Sequence, residues 1–394
     1  MGRRRLNIKT LWILAILNVF CHSVFSQSGH VSKWNFSQYL VSFDAGGVHV
    51  EEDESFEDKF IMYVDADGKI KLVYDGFRIC NEKFEPVVGS EMLNDSESFV
   101  VPVPGSANLV YCFVSGGFEY YLLDLEKNEI VSDRVPLSEF ENIPLTEVCR
   151  YILVHHANCN DVWLIHYGSE VMYKYLITSI GVEYRGMEFI NNKVTNAMEP
   201  CVFFIRLSRD CKHYTASYIG KSEDVHYGDF DMETGCFYKK SECEIPTRHG
   251  GTREVITSFV SVDNQTIFLY CELINEEHQF RREILSVDIV NGVPDYENFH
   301  VLYSTVTHGF GYVSSDVIYG LDGNIYLSDH AMCKIFKLIP TAGSKYTVED
   351  DFLTFPLTGS GTISEMFLAD WFSPNPCGED FPCPEKKKIK IICE

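Results

Sequence analysis

The stretch "YGLDGNIYLSDH", Tyr319 to His330, sets a tight-turn signal between two short apolar runs. Asp322-Gly323 accepts positive φ at little cost and favours a two-residue hairpin. Asn324 to Ser328 then reads as a strand of alternating character. One hairpin fixes nothing. The same pattern at even spacing would fix an architecture.

The pattern does recur. "FIMYVDADGKIKLVYDG" places Asp67-Gly68 between two strands, and "SFVVPVPGSANLVYCFVSG" places Ala107-Asn108 in the same way. "YILVHHANCNDVWLIHYG" turns near Cys159, "VFFIRLSRDCKHYTASYIG" near Asp210-Cys211, and "SFVSVDNQTIFLYCEL" near Asp263-Asn264. Turns at 67, 107, 159, 211, 264 and 323 are thus separated by 40 to 59 residues. A further strand pair follows each, as in "GFEYYLLDLEKNEIV" and "VMYKYLITSIGVEY". A unit of about four strands at this period is the mark of a propeller blade. A four-stranded sheet with two apolar faces needs neighbours on both sides, and radial stacking supplies them. The 22 Tyr and 28 Phe suit such half-buried, pleated surfaces.

The expected fold is therefore all-β, a single β-propeller of four-stranded blades over residues 27–373. Seven is the expected blade count, with six and eight as alternatives. Val41–Phe43 together with the segment around Thr362–Phe372 would close the seventh. A pair of β-sandwiches also has frequent turns, but the even step and the lack of a central linker favour one closed ring.

Arg3, Arg4, Arg5 and Lys9 precede the apolar run Leu11–Phe20, and Val24 and Ser26 precede a cut at Ser26–Gln27. This is the layout of a secretory signal peptide over residues 1–26. Cys21 raises a lipid anchor, which Asn18-Val19-Phe20 does not favour. No later stretch has the roughly 18 apolar residues of a membrane-spanning helix. The formal net charge of −24 becomes −28 once four basic and no acidic residues are removed. Such a surface repels nucleic acid. Thirteen of the 14 cysteines remain. Cys80, Cys112 and Cys271 lie in strand-like runs and read as small buried hydrophobes. In the tail, 374–394, a Cys377–Cys383 bridge is the expected disulfide.

The order of these motifs resembles a known family. "WNFSQYLVSFDAGGVHV" and the Asp65–Gly68 turn are followed by Tyr74-Asp75-Gly76, Ile79-Cys80-Asn81 and Val101–Ser106. "HANCNDVW", Tyr175–Ser179 with Gly181-Val182, "SRDCK", "YGDFDMETG" and Leu321–Tyr326 then come in sequence. Together they are similar to the secreted propeller domains of gliding-motility and type IX secretion-associated surface proteins of Bacteroidetes. The resemblance implies a propeller and an exported, cell-surface or periplasmic setting, and no catalytic residues. Cys159 and Cys211 stand where that family carries Gly. A β-carbon is penalised at positive φ, so these turns are expected to change type, and a Cys159–Cys211 bridge is conceivable. The chain given ends in "PEKKKIKIICE", where the family continues into further modules and a sorting domain, so periplasmic retention is the alternative setting.

Catalytic signatures are missing from the sequence: no G-x-S-x-G, H-E-x-x-H or G-x-x-x-x-G-K-[ST] occurs. Thr307–Gly311 is glycine-rich without a dinucleotide fingerprint. His156/Cys159 and His330/Cys333 are H-x-x-C pairs in different units and lack the remaining ligands of a metal site. Asp65–Gly68 is a fragment of a calcium loop. His155 and His156 lie near Asp161 with no nucleophile. Asn35, Asn94 and Asn264 begin glycosylation sequons. No cofactor or metal is expected, and Asp67, Gly68, Asp210, Asp322 and Gly323 read as turn residues. Two functions stand. The first is a non-enzymatic scaffold binding protein or glycan through loops such as His308–Ser315. The alternative is a propeller hydrolase or lyase acting on polysaccharide through a carboxylate pair.

Overall fold

The computed structural model describes residues 32–354 apart from 37–38, 45–46, 53–59, 66–68, 76–77, 91–98, 115–118, 138–147, 169–170, 190–201, 220–223, 245–251, 275–279, 308–314, 316, 321, 330–331, 333 and 343–344. The described elements are 28 strands. They form seven antiparallel sheets that follow one another in chain order.

Sheet 1 holds β1 (Ser32–Phe36), β2 (Tyr39–Asp44) and β3 (Gly47–Glu52), and sheet 2 holds β4 (Phe60–Val64), β5 (Ile70–Tyr74) and β6 (Ile79–Asn81). Sheet 3 runs from β7 (Phe99–Pro102) through β8 (Leu109–Val114) and β9 (Glu119–Asp124) to β10 (Glu129–Ile130), with β11 (Val135–Pro136) also on β9. Sheet 4 comprises β12 (Val148–His155), β13 (Val162–Gly168), β14 (Val171–Thr178) and β15 (Gly181–Phe189). Sheet 5 comprises β16 (Val202–Leu207), β17 (His213–Ile219), β18 (Asp224–Asp231) and β19 (Cys236–Glu244). In sheet 6, β20 (Thr252–Val260), β21 (Thr266–Ile274) and β22 (Phe280–Val290) carry both β23 (Val293–Pro294) and the long outer β24 (His300–Thr307). Sheet 7 comprises β25 (Val317–Tyr319), β26 (Ile325–Asp329), β27 (Lys334–Thr341) and β28 (Lys345–Thr354).

Each sheet buries its faces on its neighbours. Strand β21 shows the principle: Ile267, Leu269 and Cys271 pack toward sheet 5, while Phe268 and Tyr270 pack toward sheet 7. All five side chains are fully buried, each worth about 1.5–3 kcal/mol for the larger apolar ones. Similar clusters join sheets 1 and 2, 2 and 3, 3 and 4, and 4 and 5. First strands meet one another, as β1 with β4, β4 with β7 and β16 with β20. Tyr319 on β25 donates its hydroxyl to the Val260 carbonyl at 2.8 Å, and Arg206 on β16 donates to the Ser315 carbonyl at 2.9 Å. The fold is an all-β propeller.

One expectation needs correction. Ile325–Asp329 is not an alternating strand, because all five residues are buried. Both faces of β26 are covered, so the period-2 signal has no solvent side to express it. Val41, expected in the strand that closes the seventh blade, lies in the middle of a three-stranded meander, paired with Trp34 on β1 and Val50 on β3. The segment 362–372 lies outside the described residues.

Candidate functional site

The first two strands of sheets 2 to 7 are joined by hairpins at 65–69, 103–109, 156–161, 208–213, 261–266 and 320–324. Antiparallel alternation puts all six on one face of the disc, together with the turns joining third and fourth strands. Hydrogen bonds link neighbours on this face. Asn264 donates to Asp210 at 3.0 Å, joining the hairpins of sheets 6 and 5. The Ala157 N–H and the Trp163 indole N–H both donate to the Met232 carbonyl, at 3.0 and 2.9 Å, joining sheets 4 and 5.

Four of these hairpins share one geometry. Cys159, Cys211, Asn264 and Gly323 each adopt positive φ, at 55°, 53°, 57° and 80°. Each donates its N–H to the carbonyl three residues earlier, on His156, Ser208, Ser261 and Gly320. The residue before it is Asn158, Asp210, Asp263 or Asp322, and its side-chain oxygen accepts the N–H two residues on at 3.0–3.2 Å. The expected change of turn type at the cysteines does not occur. Two fixed hydrogen bonds over-determine the turn, and each Cys is held in the left-handed region at a penalty of order 1–2 kcal/mol. The Cys159–Cys211 bridge is not formed either: Cys159 is a thiol, whereas Cys211 is disulfide-bonded elsewhere. Cys159→Gly is accordingly expected to raise stability by about 0.5–1 kcal/mol in chemical denaturation. A lower denaturation midpoint would show that the Cys159 side chain contributes more than its backbone strain removes.

Asp322 carries more than a turn. Its carboxylate accepts the Tyr326 hydroxyl at 2.6 Å and the Asn324 amide at 2.6 Å, with Lys337 Nζ 3.9 Å away. Burial opposes its ionisation, but these hydrogen bonds and the Lys337 charge outweigh burial and hold it below the usual carboxylate range. A depressed acid stabilises the fold above its unfolded pKa and loses that contribution as pH falls through the lower, folded value. Asp322→Ala is therefore expected to cost about 1 kcal/mol at pH 7. The gap between variant and wild type should narrow below about pH 4. A gap constant down to pH 2 would refute the ionised role.

The remaining sequence candidates do not converge. His156 Nδ1 accepts the Asn158 N–H at 3.1 Å, and Asp161 accepts from Asn158 and Asn160 at 2.7 and 3.0 Å, so all belong to the hairpin. Asp65 caps its own turn, accepting the Lys69 N–H at 2.9 Å. Cys80, Cys112 and Cys271 are buried thiols. Of the loop His308–Ser315, only Ser315 is described, buried under Arg206. Asp67, Gly68, His330, Cys333, Cys377, Cys383, Ser26 and Gln27 lie outside the described residues. Among the described residues no group of three or more His, Cys, Asp or Glu could hold a metal ion. No described helix is long and apolar enough to cross a membrane.

A polar cluster absent from the sequence reading lies toward the opposite face, between sheets 6 and 7. Arg282 on β22 is 1 % exposed, and its Nη1 sits 2.5 Å from Glu272 of β21, the residue directly across the ladder. Its Nε lies 3.7 Å from Asp329, the last residue of β26, which is fully buried. Tyr270 donates its hydroxyl to Asp329 in a short hydrogen bond, and the Met332 N–H donates to the other Asp329 oxygen at 2.9 Å. Two carboxylates thus share one guanidinium. Burial pushes the Glu272 carboxyl up, the Arg282 charge pulls it back, and Glu254 and Asp329 push it up again. Tyr270 is raised well above an ordinary phenol by burial and by Asp329. Glu254 faces Glu272 across the β20–β21 ladder and is the one carboxylate on the described first strands. A cross-strand Glu–Arg pair centred on the 275–279 connection was the available sequence signal. Its burial was not legible.

Strand order and sheet stacking define a β-propeller. No protein-family model matches the chain, and no curated protein sequence matches it. Solved structures do resemble it in shape. A protein from Lactobacillus plantarum is 13 % identical with a TM-score of 0.43, over 82 % of this chain and 83 % of that one. The Dos1 propeller is 9 % identical with a TM-score of 0.44, over 82 % of this chain and 83 % of that one. The periplasmic gluconolactonase of Pseudomonas aeruginosa is 8 % identical with a TM-score of 0.43, over 80 % of this chain and 93 % of that one. Likeness at this level carries no activity across.

Proposed function

We propose that the protein is an exported, non-enzymatic propeller that binds a protein or glycan at the cell envelope or surface. The observation that carries this reading is the hairpin face. Its turns are locked by their own Asx hydrogen bonds and tied to one another by the Asn264–Asp210, Ala157–Met232 and Trp163–Met232 contacts. A surface fixed before binding loses little entropy when a partner docks, which favours recognition. The turns also present exposed polar groups, including Asn158, Asn160, Lys212 and Gln265. The resemblance to gliding-motility and type IX secretion-associated propellers supports a surface assembly as the setting.

The alternative, a hydrolase or lyase, draws on Glu254, Glu272 and Asp329, one of which has the raised carboxyl expected of a general acid. Their placement disfavours it, since Glu272 and Asp329 are 4 % and 0 % exposed and committed to Arg282. The discriminating experiment offers the purified full chain a panel of glycans and envelope proteins, measuring binding and product release together. Saturable binding without turnover supports the scaffold. Polysaccharide cleavage that disappears in Glu272→Gln would replace it with the enzyme.

A further inference from the structure

Between sheets 4 and 5 a lysine meets a cysteine. Lys174 lies on β14, where a bulge between Lys174 and Tyr175 breaks the register and re-aims the side chain. That side chain is 9 % exposed. Its Nζ lies 3.0 Å from Sγ of Cys236, the first residue of β19 and 62 positions away in the chain. Among the described residues, a charged group within reach is Glu188 on β15, whose Oε2 is 3.6 Å from Nζ and has no hydrogen-bond partner. An ammonium offers three donors, and a thiol sulfur is a weak acceptor. Glu188 supplies the ion pair for the buried cation, while the closer contact is the one between nitrogen and sulfur. Cys236 is a thiol of intermediate exposure at the hairpin face.

We propose that Lys174 and Cys236 are a redox-controlled staple, in which one oxygen atom bridges Nζ and Sγ and ties sheet 4 covalently to sheet 5. The oxidant is a peroxide. In the first step hydrogen peroxide converts the thiol to a sulfenic acid and leaves as water, oxidising sulfur by two electrons. Lys174 then reacts as the free amine, with its extra proton released to water. A second peroxide takes two electrons from nitrogen: one N–H and the sulfenic O–H break, the N–O bond forms, and two waters leave. The product is Lys–NH–O–S–Cys. Four thiol equivalents reverse it, returning the amine, the thiol and one water, and leaving as two disulfides. The bridge removes the buried positive charge, because a nitrogen bonded to oxygen is a far weaker base than a lysine amine.

The test uses the wild-type full chain, treated with hydrogen peroxide, digested and read by mass spectrometry with and without reductant. The expected result is a cross-linked peptide pair containing Lys174 and Cys236. It should be heavier than its two parts by one oxygen less two hydrogens and be separated by reductant. Lys174→Arg and Cys236→Ser should each abolish it, and the oxidised wild type should unfold at a higher denaturant midpoint that reductant restores. Recovery of Cys236 as a sulfinic or sulfonic acid, as a disulfide, or as unchanged thiol, with Lys174 unmodified, would overturn the proposal. The wild-type measurement decides even if neither variant folds.

Discussion

Arg282→Met is expected to destabilise the fold by about 3–5 kcal/mol, read as a large drop in the urea midpoint. The reason lies in what the guanidinium leaves behind. Glu272 at 2.5 Å and Asp329 at 3.7 Å are both buried, and their remaining described neighbours include Glu254 and the Tyr270 hydroxyl. Met replaces the aliphatic volume of Arg282 but none of its charge, so two carboxylates face each other in a site closed to water. They must take up protons or unfold the surrounding strands. A loss of this size is a large share of the 5–15 kcal/mol by which a typical domain is stable. The compensated variant Arg282→Met with Glu272→Gln and Asp329→Asn should recover most of it, because the amides keep an acceptor for Tyr270 without the charge. If the single variant unfolds within about 1 kcal/mol of wild type, the cluster is hydrated and the account of its burial fails. Failure of the triple variant to recover would mean that the ion pairs themselves, not the orphaned charges, hold sheets 6 and 7 together.

Trp163→Ala should cost about 3–5 kcal/mol, from lost apolar burial plus the cavity left behind. Trp163 is 3 % exposed and stands in the cluster joining sheets 4 and 5. Gly235, with φ of 66°, packs so closely that a β-carbon there would lie 3.0 Å from the indole ring. The indole N–H satisfies the Met232 carbonyl, which also accepts from Ala157. Trp163→Phe separates the two contributions. It keeps most of the apolar body and removes one hydrogen bond, so a loss of about 1–2 kcal/mol is expected. The Ala and Phe variants behaving alike would place the stabilisation in the hydrogen bond rather than the packing.

The hairpins were legible because their causes are local. Asp322 and Asn324, or Asp210 and Lys212, are two residues apart, and their hydrogen bonds form wherever that order of residues is placed. The same local logic misjudged Cys159 and Cys211. Residue preference argues against a left-handed cysteine, but two turn hydrogen bonds outweigh a preference of about a kilocalorie. Asp329 shows the opposite limit. In sequence it stands beside His330 as an ordinary strand end. Its partners Tyr270 and Arg282 lie 59 and 47 positions earlier, so nothing near it in the chain marks it as buried charge.

The sequence by itself determined the strand-and-turn repeat, and with it the blade unit, because period, turn chemistry and apolar composition act over a few residues. The tertiary structure alone decided which polar groups lose their water: Arg282 with Glu272 and Asp329, and Lys174 with Cys236. Each of these last two meetings brings side chains of two adjacent sheets together, and that adjacency exists only once the blades have stacked.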